Sequence, residues 1–454
     1  MPKAQNSRKS LRVGMVSLGC PKTLVDSEVL LGKIPSGQFS ISSSIEESDV
    51  VLLNTCSFID AAQKESLDYI RSLLKMKKAR KIKSVVVLGC MVQKFPEELQ
   101  REFKEVDAFV GTGEYDKLAS VLQAVSDGEK VFTMNEPGYL STSGEARVAL
   151  TPRHYRYLKI SEGCDHICSF CTIPSFRGKH RSRTIEDVVT EAQRLVNEGA
   201  QEVIMTGQDT SFFGRDLTGK FQLPELLQAM DQVDGLEWLR LLYVYPSCVD
   251  KKLIQAMARS KKLCHYLDMP LQHASDAMLT AMRRGITQRR TRDLIKQFRD
   301  EISGLVIRTT FIVGFPGETE VDFEQLLDFM QDVKFERVGI FQYSNEASSH
   351  SATLPNHVSE KIKEERFHRA MALQQEIALA NQQKWIGKSV RVLIEERDAA
   401  LKQTYRGRSY GDAPEVDGSV LVKSSQSLLP GKFYDTRIVS AEPYDLHAEL
   451  IKHG

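Results

Sequence analysis

Three closely spaced cysteines, Cys164, Cys168 and Cys171, are the residues of this chain whose spacing points most directly to chemistry. They follow a short apolar stretch at residues 157–160. A cubane iron–sulfur cluster has four irons and normally takes four cysteine ligands, so three cysteines leave one iron without a protein ligand. Such an iron binds a substrate or cofactor directly, which favours catalysis over electron storage. The alternative is a structural zinc site that also uses His166.

A second set of three cysteines lies near the start of the chain, each shortly after an apolar run typical of a buried strand. Cys20 follows the apolar run at residues 11–18, Cys56 follows the run at 49–53, and Cys90 follows the run at 84–88. Helical periodicity in the intervening segments predicts a parallel α/β sheet, whose carboxyl edge is where ligands gather. We therefore expect the three cysteines to converge on a second cluster with an open iron. The alternative is three unrelated buried cysteines.

Length and composition limit the class of protein. The 454 residues exceed what one core usually organises, which predicts two or three domains. With 61 basic and 60 acidic residues the net charge is +1, so the strong basic bias of a nucleic-acid-binding protein is absent. The 8 cysteines are too sparse for a disulfide-rich secreted protein, and the opening residues MPKAQNSRKS do not form a signal peptide. No apolar run approaches a membrane span. We expect a protein of the reducing cytoplasm without membrane contact.

The central part of the chain repeats a strand–helix pattern. Six strand candidates lie at residues 157–160, 202–206, 238–245, 265–269, 307–313 and 338–343. The clearest helix covers residues 185–196, with Thr184 as its N-cap. Six units are too few for a closed eight-stranded barrel, so the pattern predicts a partly open (β/α)6 barrel. The active site of such a barrel lies at the carboxyl ends of its strands.

Residues at those strand ends are candidates for binding a cofactor. They are Gly207, Gln208 and Asp209 after the second strand, Arg240 on the third, Gln272 after the fourth and Gly314 after the fifth. Glycines there let the backbone approach a ligand closely, or simply form a turn. His273 and Tyr245 are further candidates, for which a buried structural role is the alternative. Cys248 and Cys264 have no ligand-like spacing and are predicted to pack in the core.

The C-terminal segment predicts a small β-barrel. A helical connector at residues 370–384 precedes short strands at 390–394, 419–422 and 433–439. From Lys384 onward the chain has eleven basic and ten acidic residues, a net charge of +1. Asp412, Glu415 and Asp417 share one loop, which would repel phosphates and attract a basic protein if the carboxylates were exposed. The alternative is that they only solvate the loop.

Several motifs together resemble the radical S-adenosylmethionine (SAM) methylthiotransferases over nearly the whole chain. They are Ser17-Leu18-Gly19-Cys20-Pro21-Lys22, Leu24-Val25-Asp26-Ser27-Glu28, Asn54-Thr55-Cys56, Ser161-Glu162-Gly163-Cys164, Ile173-Pro174 with Arg177-Gly178, Thr206-Gly207-Gln208-Asp209, Pro270-Leu271-Gln272-His273-Ala274-Ser275 and Val313-Gly314-Phe315-Pro316-Gly317-Glu318-Thr319-Glu320. The resemblance implies an N-terminal methylthiotransferase domain at residues 1–145, a radical-SAM core at 150–383 and a TRAM-like barrel at 384–454. Residues 344–350 depart from the Glu-Glu-Gly-Thr-type segment usual in the family.

The resemblance also implies a division of labour between two [4Fe-4S] clusters. The cluster on Cys164, Cys168 and Cys171 would bind SAM and cleave it to a 5′-deoxyadenosyl radical, while the other trio would hold the sulfur that is methylated and delivered. SAM would thus serve as methyl donor and radical source, with all six cysteines catalytic and all six as metal ligands. A reducing partner of the flavodoxin or ferredoxin type and a sulfur source are implied as well.

The substrate is the finest point that the resemblance addresses. The stretch from Gly407-Arg408-Ser409-Tyr410 to Asp412-Ala413-Pro414-Glu415 is similar to the branch of the family that modifies the twelfth protein of the small ribosomal subunit. The expected reaction is methylthiolation of an aspartate β-carbon, with nucleic acid contact secondary. The alternatives are a tRNA adenosine methylthiotransferase and, from a different class, a non-catalytic iron–sulfur protein that binds RNA or assists assembly.

Overall fold

The structure, a computed structural model, describes residues 10–451. The chain divides into two compact units. The first comprises the described part of Met1–Leu150 together with Glu162–His166 and Thr172–Arg181, and the second comprises Thr151–Ser161, Ile167–Cys171 and the described part of Ser182–Gly454. The predicted absence of a signal peptide concerns a segment of which all but Ser10 lies outside the described residues.

The first unit is built on a six-stranded parallel sheet in the order β2-β1-β3-β4-β5-β6. Its strands are β1 (Leu11–Ser17), β2 (Phe39–Ile41), β3 (Val50–Thr55), β4 (Ser84–Gly89), β5 (Ala108–Val110) and β6 (Val131–Thr133). Its helices are α1 (Pro21–Gly32), α2 (Asp60–Lys78), α3 (Cys90–Lys94), α4 (Pro96–Glu102), α5 (Leu118–Ser126) and α6 (Ile173–Arg177). The predicted parallel α/β sheet is confirmed. The sequence did not indicate β2 and β6, which are three-residue strands at the edges.

Both faces of this sheet are buried, which explains the continuous apolar runs of its central strands. Leu52 and Leu88 belong to the core on one face, and Leu53 and Val87 belong to the core on the other. The strand register pairs Ser17 with Asn54 and Thr55 with Gly89, so the carboxyl ends of β1, β3 and β4 are level. This register determines where the chain segments after those strands begin.

The second unit begins with a half-barrel made of two three-stranded parallel sheets, ordered β11-β10-β7 and β12-β13-β14. The strands of these sheets are β7 (Tyr155–Lys159), β10 (Glu202–Thr206), β11 (Trp238–Leu241), β12 (Tyr266–Asp268), β13 (Val306–Val313) and β14 (Arg337–Gln342). Two short strands outside these sheets, β8 (Ser161–Glu162) and β9 (Arg181–Ser182), each have one residue in either unit. Backbone hydrogen bonds from Cys264 to Leu239 and from Val244 to Asp268 link the two sheets. The predicted six-unit, partly open barrel is confirmed.

Helices alternate with the strands of the half-barrel along the chain. They are α7 (Ile185–Asn197), α8 (Arg215–Thr218), α9 (Leu223–Met230), α10 (Lys251–Arg259), α11 (Asp276–Ala281), α12 (Gln288–Glu301), α13 (Glu320–Val333) and α14 (Glu360–Gln383). In α7, Val188, Ala192 and Leu195 form the buried stripe, and the Thr184 side chain accepts a hydrogen bond from the Asp187 amide as predicted for an N-cap. None of the described helices is both long enough and apolar enough to span a membrane.

The second unit ends in a closed five-stranded barrel in the order β15-β16-β17-β19-β18, as the sequence predicted in outline. Its strands are β15 (Ser389–Arg397), β16 (Thr404–Arg408), β17 (Val420–Lys423), β18 (Phe433–Ala441) and β19 (Leu446–Leu450). The sequence pattern missed β16 and β19. Arginine and glycine interrupt β16, while histidine and glutamate interrupt β19, so neither gives a continuous apolar run.

A buried ion pair and a buried hydrogen bond join this C-terminal barrel to the half-barrel within the second unit. Arg337 donates to Asp412 at 2.7 Å, and the Tyr266 hydroxyl donates to Asp417 at 2.7 Å. The prediction that the Asp412 loop presents free carboxylates to a basic partner is therefore wrong. Asp412 and Asp417 face arginine and tyrosine side chains of the half-barrel, and of the three only Glu415 is an exposed residue.

Candidate active site

The N-terminal cysteines converge at the carboxyl edge of the first unit's sheet. Cys20 precedes α1, Cys56 directly follows β3, and Cys90 is the first residue of α3. A Cβ added at Gly19, whose φ is +97°, would lie 3.0 Å from the Cys56 Sγ, so a glycine is needed for the two loops to approach. Negative charge on Cys56 and on Cys20 raises the pKa of Cys90, so the three thiols are near enough to interact electrostatically.

The three thiols differ in their electrostatic surroundings. Burial raises the pKa of Cys90 to about 12, although the charge of Arg177 opposes the shift. Burial likewise raises the pKa of Cys56. Burial also tends to raise the pKa of Cys20. The positive charges of Lys22 and Arg177 and the hydrogen bonds from Thr23 outweigh burial, so the pKa of Cys20 is lowered. Cys20 is therefore the thiol of this trio that ionises most readily.

Arg177 contacts the trio directly. Its Nε and Nη2 donate to the Cys90 Sγ at 3.2 and 3.0 Å. Its Nη1 donates to Asp26 at 2.7 Å and to Glu162 at 3.2 Å. The side chain is buried, with 4% of its surface exposed. Sequence motifs included Arg177, Asp26 and Glu162 without giving them roles, and the structure shows that they form one ion cluster on the Cys90 sulfur.

Polar side chains from other motifs support the loops that carry the cysteines. Asn54 donates to the Thr23 carbonyl at 3.2 Å and to the Ser27 hydroxyl at 2.9 Å. Ser27 in turn donates to the Ser17 hydroxyl at 2.8 Å. These bonds tie β1, α1 and the end of β3 together beneath the trio. The cysteine loops are thus supported by side-chain hydrogen bonds, which explains why the motifs contain small polar residues.

Cys168 of the second trio has its own arginine, Arg284. The Arg284 Nη1 donates to the Cys168 Sγ at 3.2 Å, and its Nη2 donates to the Pro270 carbonyl at 2.6 Å. The guanidinium lies over the Tyr245 ring, 4.1 Å from its centre, and the Tyr245 hydroxyl oxygen lies 3.5 Å from the Cys168 Sγ. Tyr245, a candidate from the sequence, is therefore placed beside a cysteine of the triad.

The loop between Cys168 and Cys171 is held through Ser169. The Ser169 amide donates to the Met282 carbonyl at 3.1 Å, and its hydroxyl donates to the Ala281 carbonyl at 2.7 Å. The Ser351 amide donates to the Ser169 carbonyl at 2.8 Å. Ser351 follows the segment at 344–350 that departs from the family pattern. The residue directly after segment 344–350 therefore contacts the loop between Cys168 and Cys171.

Cys164 belongs to the first unit, whereas Cys168 and Cys171 belong to the second. The Cys164 amide donates to the Gly178 carbonyl at 3.1 Å. The preceding Gly163 has φ +79°, and a Cβ there would lie 2.0 Å from the Lys179 carbonyl oxygen. Only glycine fits this turn, which accounts for the Gly163-Cys164 sequence. None of the eight cysteines, all of which are described, forms a disulfide.

The residues after the second strand of the half-barrel form a tight polar turn. A Cβ at Gly207 would lie 2.6 Å from the Ser161 hydroxyl, so the backbone approaches β8 closely there. Asp209 is buried and accepts a hydrogen bond from the Ser211 amide at 2.9 Å. Gln208 lies between them and is partly exposed. Gly207 and Asp209 therefore shape this turn, and a role of all three in binding cofactor stays a prediction.

Gln272 and Gly314 adopt backbone conformations with positive φ, +78° and +75°. The Gln272 amide donates to Thr310 at 2.8 Å, which bridges the segment after β12 to β13. A Cβ at Gly314 would lie 2.3 Å from Lys363, so the turn after β13 requires glycine. Both residues lie at the predicted rim. Their contact with a cofactor stays a prediction.

Glu318 organises the turn that contains Gly314. Its carboxylate accepts hydrogen bonds from the Gly314 amide and, at 2.9 Å, from the Phe315 amide. Arg366 lies 3.2 Å from the other carboxylate oxygen. Burial raises the pKa of Glu318 to about 7, against the lowering effect of Arg366 and the two amides. The turn is therefore held by a carboxyl group that titrates near neutral pH.

Arg240 lies in surroundings that the sequence did not indicate, and Cys248 does not agree with its predicted place in the core. Arg240 is fully buried and donates to Glu202 at 2.7 Å and to the Tyr410 carbonyl at 2.8 Å. Nε therefore pairs with a half-barrel residue and Nη1 contacts the C-terminal barrel, and a cofactor role for Arg240 stays a prediction. Cys248 is only partly buried, whereas Cys264 packs in the core as predicted.

His273 takes the structural alternative that the sequence left open. It is buried, and its Nδ1 accepts a hydrogen bond from the Ser275 amide at 3.0 Å. Burial lowers the pKa of His273 to about 3. The imidazole is therefore neutral at physiological pH, and it is poorly suited to relay protons by titrating there.

Comparisons with known proteins agree with this arrangement. Family models match at residues 158–330 (Radical SAM superfamily), 12–111 (Uncharacterized protein family UPF0004) and 386–451 (TRAM domain). A protein of Pelotomaculum thermopropionicum named ribosomal protein uS12 methylthiotransferase RimO is 45% identical over 97% of this chain and 99% of its own length. Its namesake in Desulforamulus reducens is 44% identical over 96% of this chain and 99% of its own length. This chain belongs to the RimO family.

Membership of the RimO family makes the chain a radical-SAM methylthiotransferase, as the motifs implied. Among solved structures, the radical SAM methyltransferase TsrM from Kitasatospora setae covers 74% of this chain and 75% of its own length, with a TM-score of 0.55. At 18% identity that likeness shows the fold alone. The family match spans both cysteine trios and the C-terminal barrel.

Arg284 was missed by the sequence reasoning. It follows Arg283 in the segment after α11, and nothing in the sequence distinguishes the two arginines. In the structure Arg283 is exposed and donates to His350, whereas Arg284 is buried and donates to Cys168. The two arginines can therefore be told apart only by their burial in the folded protein.

Proposed function

We propose that this protein attaches a methylthio group to the β-carbon of an aspartate in ribosomal protein uS12, with SAM as methyl donor and radical source. The observation that carries the proposal is the similarity of 40–45% identity over nearly the full chain to proteins named uS12 methylthiotransferase. All six cysteines that the chemistry needs are present in this chain, and none is in a disulfide.

The donor set of each trio fits a [4Fe-4S] cluster with one open iron, so we propose two clusters per chain. In the first unit the three thiols lie near enough to influence one another electrostatically, and a buried arginine donates to the Cys90 sulfur. In the second unit Cys168 receives a hydrogen bond from Arg284. When bound, the clusters and SAM supply the radical that removes a hydrogen atom and the methylthio group that replaces it.

The chain's own residues have positioning tasks in this scheme. Cys20, Cys56 and Cys90 would hold one cluster, and Cys164, Cys168 and Cys171 the other. The turns that contain Gly207, Gln208, Asp209, Gln272 and Gly314 would border SAM at the rim of the half-barrel. Support for these roles comes from the position of the turns at strand ends and from their close backbone packing.

The reaction also requires partners. A reductant of the flavodoxin or ferredoxin type would supply electrons, and a separate donor would supply sulfur. Contact with nucleic acid through the TRAM domain would be secondary to contact with the protein substrate. A ribosomal substrate and eight thiols outside disulfides support a location in the cytoplasm.

Mass spectrometry of ribosomal protein uS12 tests the substrate. A strain without this gene should have unmodified uS12, and the wild-type gene should restore the mass increment of a methylthio group replacing hydrogen on an aspartate. A gene with Cys164→Ala should not restore it. The tRNA nucleosides of the same strains provide the comparison: methylthiolated adenosine that depends on this gene, with uS12 unmodified throughout, would contradict the proposal.

A further inference from the structure

The cysteine trio of the first unit is asymmetric, because only one of its sulfurs accepts hydrogen bonds from a charged side chain among the described contacts. Arg177 directs one edge of its guanidinium, Nε and Nη2, at the Cys90 Sγ, at 3.2 and 3.0 Å. Cys20 has the hydroxyl of Thr23 at 3.5 Å instead. Two donors of one planar fork on a single sulfur form a charge-assisted, directional contact.

The remaining contacts of Arg177 fix that orientation. Nη1 donates to Asp26 at 2.7 Å and to Glu162 at 3.2 Å, so both carboxylates lie at the opposite end of the guanidinium from the sulfur. The Arg177 side chain is 4% exposed, and those of Asp26 and Glu162 are 1% and 4% exposed, so little water competes for these bonds. These contacts indicate that Arg177 does more than fill space, because its charged edge faces the Cys90 thiol.

Hydrogen bonds and positive charge at a cysteine sulfur change the properties of a bound iron–sulfur cluster. They withdraw electron density from the sulfur and favour the reduced form of the cluster, which carries one more negative charge. Outer contacts of this kind also orient the ligand and retain the metal. Both effects would act through Cys90 on any cluster that the trio holds.

We propose that Arg177 is a positioning residue of the N-terminal trio, which holds the Cys90 sulfur as a ligand and raises the reduction potential of the cluster bound there. This inference rests on the proposed function, because it requires a cluster on Cys20, Cys56 and Cys90. The inference goes beyond that function in one respect. Arg177 lies six positions after Cys171 of the second trio, yet it would control the reduction potential of the cluster on the N-terminal trio.

The experiment isolates the N-terminal cluster in the full chain. Cys164→Ala, Cys168→Ala and Cys171→Ala are combined so that only the first trio binds iron after anaerobic reconstitution. In that background we would compare Arg177→Gln, Arg177→Lys and Arg147→Gln. Arg147 is the matched control, because it is a buried arginine of the same unit paired with Glu28. Iron per chain, far-ultraviolet circular dichroism and a dithionite titration followed by electron paramagnetic resonance are measured.

At the midpoint potential of the parent protein, the ratio of reduced to oxidised cluster should fall at least tenfold in Arg177→Gln. For a one-electron couple this corresponds to a midpoint about 59 mV lower. Arg177→Lys keeps the positive charge but not the planar pair of donors, so its ratio should lie between those of the parent protein and Arg177→Gln. The ratio in Arg147→Gln should remain within twofold of the parent value. Loss of iron from both Arg177 variants with unchanged circular dichroism would also support the proposal, because the Cys90 ligand would then be lost.

Two results would overturn it. Fully loaded Arg177→Gln with the parent's midpoint would show that the arginine does not act on the cluster, as would unfolding of both Arg177 variants while Arg147→Gln stays folded. A parent protein that binds no iron would be a different failure, since it would remove the N-terminal cluster from the proposed function as well.

Discussion

Arg284 donates a hydrogen bond to the Sγ of Cys168 across 3.2 Å, although 116 positions separate the two residues in the sequence. The contact resembles that of Arg177 with Cys90 in the first unit. In each case a buried guanidinium is anchored by other acceptors and directs remaining N–H groups at one sulfur of a trio. Positive charge beside a cysteine favours the thiolate, which is the form that binds metal.

Replacing Arg284 by Gln should slow reductive cleavage of SAM about tenfold or more. A hydrogen bond to a charged group contributes about 1.5–3 kcal/mol, and that contribution would be lost at a ligand sulfur. The measurement is 5′-deoxyadenosine formed per cluster, by liquid chromatography. Arg283→Gln is the control, because the neighbouring side chain is exposed and contacts His350 instead. Equal rates in the two variants would argue against a role for the Arg284 contact.

Iron content should separate the two trios. Reconstituted wild-type protein should contain about eight irons per chain, because each trio is expected to hold one cubane cluster. Combining Cys164→Ala, Cys168→Ala and Cys171→Ala should leave about four irons and abolish 5′-deoxyadenosine formation. Elemental analysis and absorption spectra provide the check. Zinc in place of iron, with no iron–sulfur spectrum, is the result that would refute the assignment of clusters.

The N-terminal trio should be needed for product but not for cleavage of SAM. Cys20→Ala, Cys56→Ala and Cys90→Ala should each retain 5′-deoxyadenosine formation and lose methylthiolated product. The reason is that these cysteines converge at the edge of a different sheet, in a unit with its own core. Cys264→Ala, a buried cysteine outside both trios, is the control. Full product from the trio variants would reduce that cluster to a structural role.

Long apolar runs made much of this fold predictable. β3 and β4 are buried on both faces, and the apolar runs at residues 49–53 and 84–88 identified the parallel sheet and its carboxyl edge. The charged loop at Asp412 was misjudged for a physical reason. Composition does not reveal burial, and the partners Arg337 and Arg308 lie on half-barrel strands more than 70 positions away. The contacts of Arg177 with Cys90 and of Arg284 with Cys168 were not predicted, because each arginine is distant in sequence from its cysteine.

Breaking the buried pair between Arg337 and Asp412 should loosen the C-terminal barrel. Arg337→Ala would leave a buried carboxylate without its cation, a change that costs about 3–5 kcal/mol. Arg391→Ala is the control, since its pair with Glu237 joins the same two parts but is about half exposed and contributes at most about 1 kcal/mol. Urea unfolding followed by tryptophan fluorescence measures both variants.

Tryptophan fluorescence reports on the contact between the C-terminal barrel and the half-barrel. The chain has 2 tryptophans; Trp238 packs against Phe433 of the barrel, and Trp385 packs against Tyr410. The Arg337→Ala transition should move to markedly lower urea, and the shift should persist in high salt because buried charges are screened weakly. A salt-sensitive transition, or equal shifts in the two variants, would indicate that the acidic loop is exposed after all.

The turn from Gly314 to Glu318 should become less stable as the pH rises through neutrality. Burial raises the pKa of Glu318 to about 7, while Arg366 and the Phe315 and Gly314 amides act in the opposite direction. A raised pKa means that the fold favours the protonated carboxyl. Its contribution to stability is therefore complete below the ordinary value of 4.5 and is lost as the pH passes about 7. The whole change amounts to about 3 kcal/mol at most.

Hydrogen exchange tests this directly, because the amides of Gly314 and Phe315 donate to that carboxylate. Protection of the peptide covering residues 314–318, corrected for intrinsic exchange, should fall between pH 5.5 and pH 8 in the wild type. Glu318→Gln cannot ionise, so its protection should be nearly constant over the same range. Glu324→Gln, on the exposed side of α13, should follow the wild type. Parallel profiles for the wild type and Glu318→Gln would mean that another group, and not this carboxyl, controls the turn.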